Sequence, residues 1–309
     1  MSFSTNVKED ILKFNNIDSK ALKLTLEAML RFSGEIVISK PLKLNFSSNN
    51  LSIVTYLIKN LKKLYEFEYE IEQRKIERFD NSITYRASII GANKIIEDMN
   101  LAKDSSKEKD EIFSDEEYMA SYLRGAFLSR GSVNDPKSKN GHLEISSTNT
   151  KEIIFIQKIM NEFELNARVT KRKTYTVCYI KKRESIADLL YRLGATATMN
   201  YYQDILITKE IKANAKRSIN LDIANQYKTN ASAEEQLKYI KYLEYNYPLS
   251  EMDPKLLMVM KVRKEHPEHS LSQLLDIIHD EYDPKLTKSG LNHRFRKLKE
   301  IALDYAKKD

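Results

Sequence analysis

The sequence predicts an α+β protein in which one α–β–β–α–β–β–α unit occurs twice, followed by a helical linker and an all-α helix-turn-helix domain. Three observations predict it. First, the order helix, two strands, helix, two strands, helix appears twice, and its landmarks recur with it. LEAMLRFSG (26–34) is echoed by LRGAFLSRG (123–131), and LNFSSNN (44–50) by LEISSTN (143–149). A repeat this long is not a solenoid unit; it implies a duplicated domain with a pseudo-two-fold axis. Second, the stretch from 209 to 243 is long, polar and free of glycine and proline, which reads as a helix bridging domains. Third, the last sixty residues hold three capped, amphipathic segments.

Taken in order, the first helix is expected at Thr5–Phe14. Asp18 or Ser19 caps a second helix running to about Ser33, with Gly34 placed to end it. Strand character follows in VISKPLKLNF (37–46), EFEYEIEQRK (66–75) and NSITYRASII (81–90), with helices at Ser52–Tyr65 and Ala92–Met99. The charged segment KDSSKEKDEIFSDEE has no apolar period and reads as a linker. Ser114 and Glu117 form a capping box that opens a helix at Asp115–Arg130. The second copy continues through a helix at Lys151–Phe163, the strands NARVTKRK and TYTVCYIKK, and a helix at Glu184–Leu193. A long helix then runs from Thr208 until Pro248 stops it. The expected domains are therefore 1–102 (first half), 103–114 (linker), 115–207 (second half), 208–249 (helical linker) and 250–309, with the helix-turn-helix motif at about 270–303.

In the last domain, Pro254–Glu265 begins with proline in its first turn, Ser270–His279 begins with a Ser270/Gln273 capping box, and a helix from Thr287 to about Tyr305 begins with a threonine cap. Leu256, Leu257, Met260, Leu271, Leu274, Leu275, Ile278, Leu291, Phe295, Leu298, Ile301 and Ala302 are expected to close a trihelical core. KLTKSGLNHRFRKLK (285–299) carries six lysines and arginines and no acid. Lys285 and Thr287 lead into this helix, and Lys288, Ser289, Asn292 and His293 fall near its start, away from its apolar face. Side chains at the start of a recognition helix meet base edges, and asparagine can pair bidentately with adenine. Arg294, Arg296, Lys297 and Lys299 are placed to meet phosphates. The competing reading is a solvated basic face. The connection from Asp280 to Leu286 is longer than in the usual motif.

A secondary set of phosphate-contact candidates lies on the hairpin at 166–183: Arg168, Lys171, Arg172, Lys173, Lys181, Lys182 and Arg183, interleaved with Tyr175 and Tyr179. A basic ribbon can follow a duplex, and lysines also protect an exposed sheet edge. The matching hairpin of the first half is mixed in sign, with Glu68, Glu70, Glu72, Arg74, Lys75, Glu77 and Arg78.

A formal charge of +7 and a pI near 9.0 favour an anionic partner. Cys178, the single cysteine, excludes an intramolecular disulfide framework and reads as a small apolar strand residue. The N-terminus lacks the basic head and apolar run of a signal peptide, and no apolar stretch approaches the ~20 residues of a membrane span. A cytoplasmic, nucleoid-associated protein is expected. HPEH (266–269) is a turn between helices, and His142 and His279 stand alone, so no metal site is expected. No P-loop, GxGxxG after a strand or GxSxG occurs, so no cofactor is expected.

The paired helices ending at Gly34 and Gly131, each leading a strand–helix–strand repeat, resemble the two-copy LAGLIDADG homing-endonuclease fold. YLRGAFLSRGSVNDP (122–136), NLDIANQYKTNASA (220–233), SLSQLL (270–275) and LTKSGLNHRFRKL (286–298) are similar to the WhiA family, a resemblance that covers nearly the whole chain. It implies a bacterial DNA-binding regulator linked to cell division and chromosome segregation (sporulation in some lineages), binding promoter-like double-stranded DNA. It also implies a helix-turn-helix similar to the promoter-reading part of sigma factors, with RNA polymerase or another transcription factor as a further partner. In the nucleases, each paired helix ends in an acid before its glycine, and the two acids hold divalent metal against the scissile phosphates. Here those positions are Ser33 and Arg130; serine is a poor metal ligand and arginine brings positive charge, so a non-catalytic protein is expected. The alternatives are a metal-dependent endonuclease using the displaced acids Glu35 and Asp135, and a division-machinery adaptor whose DNA binding is secondary.

Overall fold

The computed structural model describes residues 2–14, 18–76, 82–103 and 110–307. Much of the expected linker, together with Glu77 and Arg78, lies outside the described residues. The chain divides into two compact units, 1–209 and 210–309.

In the first unit, α1 (Phe3–Ile11) starts earlier than expected because the Ser2 hydroxyl accepts the Thr5 N–H. Asp18 caps α2 (Ser19–Ser33). There follow β1 (Gly34–Val37), β2 (Lys43–Ser48), α3 (Leu51–Leu64), β3 (Glu68–Ile76), β4 (Ser82–Ile90) and α4 (Asn93–Asp98). The second copy is α5 (Glu116–Arg130), β5 (Gly131–Val133), β6 (Leu143–Ser147), α6 (Thr150–Glu162), β7 (Arg168–Lys171), β8 (Thr176–Ile180) and α7 (Arg183–Arg192). Its antiparallel sheet has the order β5-β6-β8-β7, matching β1-β2-β4-β3. The duplication is thus complete, element for element.

One local expectation fails. Ser114 caps nothing: its hydroxyl donates to the Glu111 carbonyl in a 3-10 turn, and Asp115 caps α5 instead by accepting the Glu117 N–H at 2.8 Å. Gly34 ends α2 as expected, and Gly131 ends α5 in the same way. Both are extended (φ −84° and −80°), so each paired helix turns directly into a strand. A Cβ at Gly34 would lie 2.2 Å from the Leu30 carbonyl oxygen.

α2 and α5 pack against each other along the pseudo-two-fold axis. Gly125 allows the approach, since a Cβ there would lie 2.1 Å from the Thr25 carbonyl oxygen and 2.9 Å from Ala28 Cβ. Thr25 Oγ1 reaches the Ser121 carbonyl (3.1 Å), and Ser129 Oγ donates to the Met29 carbonyl (3.1 Å). Met119 to Leu128 is buried throughout, because α5 lies between α2 and its own sheet. The two halves share one continuous apolar core.

α8 is a 51-residue helix, Thr196–Asn246, which starts twelve residues before the expected Thr208. Its first turn is capped from a distance: the Asp10 carboxylate accepts the Thr198 N–H (2.9 Å) and hydroxyl (3.0 Å). Met199 and Tyr202 join the core of the first unit.

In the second unit, the end of α8 is followed by α9 (Pro254–Glu265), α10 (Leu271–Glu281) and α11 (Lys288–Tyr305). Leu256, Met260, Leu274, Ile278, Leu291, Phe295, Leu298 and Ala302 are buried, whereas Leu257, Leu271, Leu275 and Ile301 are partly buried. The three helices do not close this core alone. Ile240 and Leu243 of α8 and Met252 complete it.

Replacing Gly125 with valine should destabilise the first unit by about 3 kcal/mol or more, since overpacking here strikes backbone that cannot yield. Denaturant unfolding of the full chain checks this; a change below ~0.5 kcal/mol would mean that the helices separate at little cost.

Candidate nucleic-acid interface

α11 is held by local and tertiary contacts together. Thr287 Oγ1 accepts the Gly290 N–H (3.0 Å), and the Ser270/Gln273 capping box opens α10. His279 Nε2 donates to the Leu286 carbonyl (2.6 Å) and pins the long connection between the two helices, so this isolated histidine has a structural task. Leu291, Phe295 and Leu298 bury one face of α11. On the opposite side Lys288, Ser289, Asn292, His293, Arg296 and Lys297 are exposed, as are Lys285 and Thr287. Their spacing of three and four residues makes one polar, donor-rich stripe.

Two of the proposed phosphate contacts are engaged by acids, Arg294 in the interior and Lys299 at the surface. Arg294 lies against Asp283 (3.4 Å) with its side chain only 15% exposed, and Lys299 is bound to Glu235 (2.8 Å) on α8. Glu235 and Tyr239 raise the Lys299 pKa above its ordinary value.

Arg263, which sequence reasoning missed, supports the helix from beneath. It is 2% exposed, bonds Gln236 (2.9 Å), and lies 5.4 Å from the Phe295 ring centroid. It also donates to the carbonyls of His266 (3.4 Å) and His269 (2.6 Å), which explains the HPEH turn without a metal. Burial pushes its pKa down to about 10.

On the second-half hairpin, Arg168, Lys171, Arg172, Lys173, Lys181 and Lys182 are exposed. Arg172 pairs with Glu144 (2.9 Å). Arg183 is committed elsewhere: its guanidinium holds the carbonyls of Ser138 (2.9 Å) and Lys139 (2.7 Å). The corresponding sheet of the first half places Glu35, Glu70 and Glu72 on one face by register. Arg86 there is taken by Glu35 (2.8 Å).

The ends of α2 and α5 lie together: Arg130 Nε donates to the Phe32 carbonyl (3.3 Å), beside Ser33. Glu35 is paired with Arg86, while Asp135 accepts the Lys137 N–H (2.7 Å) within its own turn. Among the described residues, no three His, Cys, Asp or Glu side chains are grouped as metal ligands, and no helix is long and apolar enough to cross a membrane. Cys178 is buried on β8, where desolvation pushes its thiol up to about 12; its strand reading fits this position.

Comparison with known proteins places all of these elements. Residues 19–102 match the family model of the WhiA N-terminal LAGLIDADG-like domain, 119–212 that of the WhiA LAGLIDADG-like domain, and 215–302 that of the WhiA C-terminal HTH domain. The chain belongs to the WhiA family. It is 32% identical to the probable cell division protein WhiA of Pediococcus pentosaceus, with 98% of each chain covered. It is 30% identical to the Staphylococcus aureus (strain JH9) protein of the same name, covering 98% of this chain and 96% of that one. The crystal structure of full-length DUF199/WhiA from Thermotoga maritima has the same fold, with a TM-score of 0.62 at 22% identity over 98% of this chain and 99% of that one. In this WhiA chain the HTH match takes in α9, α10 and most of α11, together with much of α8. Helix α1 precedes the N-terminal WhiA match.

Because the Thr287 cap sets where α11 begins, Thr287→Ala should cost about 1 kcal/mol of stability and fray the turn that carries Lys288 and Ser289. Amide exchange at the start of α11 should accelerate; unchanged protection would mean that packing alone fixes the helix.

Proposed function

We propose that this chain is a non-catalytic, sequence-specific DNA-binding regulator that acts in cell division and chromosome segregation. The exposed stripe of α11 carries the reading: Lys288, Ser289, Asn292 and His293 lie near the helix N-terminus, with Arg296 and Lys297 one turn beyond. The arrangement suits base edges near the helix start and phosphates beside them. The match to the WhiA HTH domain supports this use of the helix, and the names of the relatives support the cellular process. Arg168, Lys171, Lys173, Lys181 and Lys182 offer supplementary phosphate contacts from the second half. The first half, with its acids paired or clustered on one sheet face, is not assigned to DNA. Ser33 and Arg130 at the nuclease positions, and Glu35 neutralised by Arg86, favour binding without cleavage.

Binding of the full chain to a selected duplex should weaken linearly on a log–log salt plot, with a slope of about −0.9 per phosphate neutralised. Asn292→Ala should lose about 1–3 kcal/mol on the preferred site and little on others, relaxing specificity. Lys297→Ala should weaken all sequences alike and reduce the slope by about one unit, whereas Lys299→Ala, already held by Glu235, should change less. Mobility shifts with magnesium or EDTA measure all of these together. Equal salt slopes and preferences in the wild type, Asn292→Ala and Lys297→Ala would reject α11 as the reader, and magnesium-dependent strand breaks would establish the nuclease instead.

A further inference from the structure

A cavity of about 620 Å³ lies where α2 and α5 end, walled by α1, the turn from β2 to α3, and β4. Its size is that of a small-molecule site. Lys8 of α1 and Arg130 of α5 both line it. The Lys8 ammonium lies 5.9 Å from the Phe127 ring centroid and has no acidic partner among the described residues. Burial, and secondly the charge of Arg130, push its pKa down to about 8. The Ser33 hydroxyl, also in the lining, is buried and without a hydrogen-bond partner. The first turn of the 14-residue α3 contributes Asn50 and Leu51 to the wall, adding the positive end of a helix dipole. Glu9 is the acid of the lining, and among the described residues it forms no ion pair with either cation.

The duplication supplies an internal control. The pseudo-symmetric cavity, about 470 Å³, lies between the end of α2 and the start of α6 and is lined by Arg31, Asn149 and Glu152. There Arg31 is balanced by Glu27 at 2.7 Å and by Glu152, an acid of the wall, at 3.7 Å, while Lys103 is the wall's other cation. Aligning LNFSSNNLSI (44–53) with LEISSTNTKE (143–152) puts Ile53 where Glu152 stands. The first cavity therefore keeps two cations and lacks the acid that balances its twin. The carbonyls ending α2 account for part of Arg130's placement, through Phe32, but not for Lys8.

We propose that this cavity binds a small phosphorylated metabolite, its phosphoryl group held by Lys8 and Arg130, by the Ser33 hydroxyl and by the start of α3. A phosphate supplies the negative charge that Ile53 withholds, and oxygens that can accept from the buried hydroxyl. The site is independent of α11, so it stands or falls separately from the DNA-reading assignment.

The full-length protein would be melted in increasing inorganic phosphate and, separately, glycerol 3-phosphate, against chloride at matched ionic strength. A saturable rise in melting temperature is expected for the wild type, with apparent affinity at least about tenfold weaker in Lys8→Met and Arg130→Ser. Ile53→Glu, which installs the acid of the other half, should abolish the response. Lys8→Met removes a half-buried charge that has no acidic partner among the described residues and so should fold, which circular dichroism checks. The proposal is overturned if the wild type shows no saturable response, or if Lys8→Met responds like the wild type. A Lys8-dependent response to a duplex oligonucleotide, with none to either small probe, would assign the cavity to a backbone phosphate and overturn it too.

Discussion

Everything in the first unit depends on how closely α2 and α5 approach, and that approach depends on position 125 carrying no side chain. Interiors are packed too tightly to absorb a methyl group against a carbonyl at 2.1 Å. Once the helices are in contact, their last turns are locked side by side, with Ser129 bonded to Met29 and Arg130 to Phe32. Each helix then passes through an extended glycine straight into the first strand of its sheet. The register of both sheets is thereby fixed to the helix pair. In a nuclease this geometry brings two acids together. The same geometry here brings together a serine and an arginine, and the Phe32 carbonyl accepts the arginine's Nε–H.

The duplication is symmetric in backbone and asymmetric in charge. In each half an arginine of the paired helix holds the end of the closing helix. Arg31 donates to the carbonyls of Met99 and Asn100 just after α4, and Arg124 to those of Arg192 and Leu193 at the end of α7. Both solutions satisfy carbonyls that a helix end leaves unpaired. They are not interchangeable: Arg31 lies two residues from the end of α2 and is balanced by Glu27 and Glu152, whereas Arg124 lies in the middle of α5 and is balanced by Glu117. Buried charges of this kind add little net stability, but removing one partner is costly because the other remains desolvated. The two halves have therefore diverged in whole charge sets, the step from Glu152 to Ile53 among them.

What could be read from the sequence was local or periodic. Asp18, Ser270 with Gln273, and Thr287 cap their helices because a cap needs only three or four residues. The strand-pair order was legible because the same landmarks occurred twice. The paired-helix positions Ser33 and Arg130, and the stripe on α11, were legible for the same reasons. What was missed came from a distance. α8 begins at Thr196 because its first turn is capped by Asp10, which accepts from Thr198, 188 residues away in sequence. Ile240 and Leu243 belong to the core of the second unit, although the helix around them is polar enough to read as a bridge. Arg124 and Arg263 are buried, contrary to what arginine on a helix suggests. Lys8 gave no signal at all, since its meaning lies in facing Arg130 across more than a hundred residues of chain.

The formal charge of +7 overstates how many cationic groups the protein leaves uncommitted. Arg31, Arg124, Arg130, Arg183 and Arg263 all direct N–H groups at backbone carbonyls, and Arg294 is turned toward Asp283. A guanidinium suits this work, because its five donors can serve several carbonyls while the charge stays partly compensated. These arginines therefore build the fold, and they contribute to binding mainly by holding other groups still. Arg263 illustrates the point: it touches the Phe295 ring and ties down the turn between α9 and α10, so that the opposite face of α11 is presented rigidly. Away from the interior, exposed cations are spread over both units, and those of α11 and of the second-half hairpin are two groups among them. The total charge is therefore no guide to which surface meets an anionic partner.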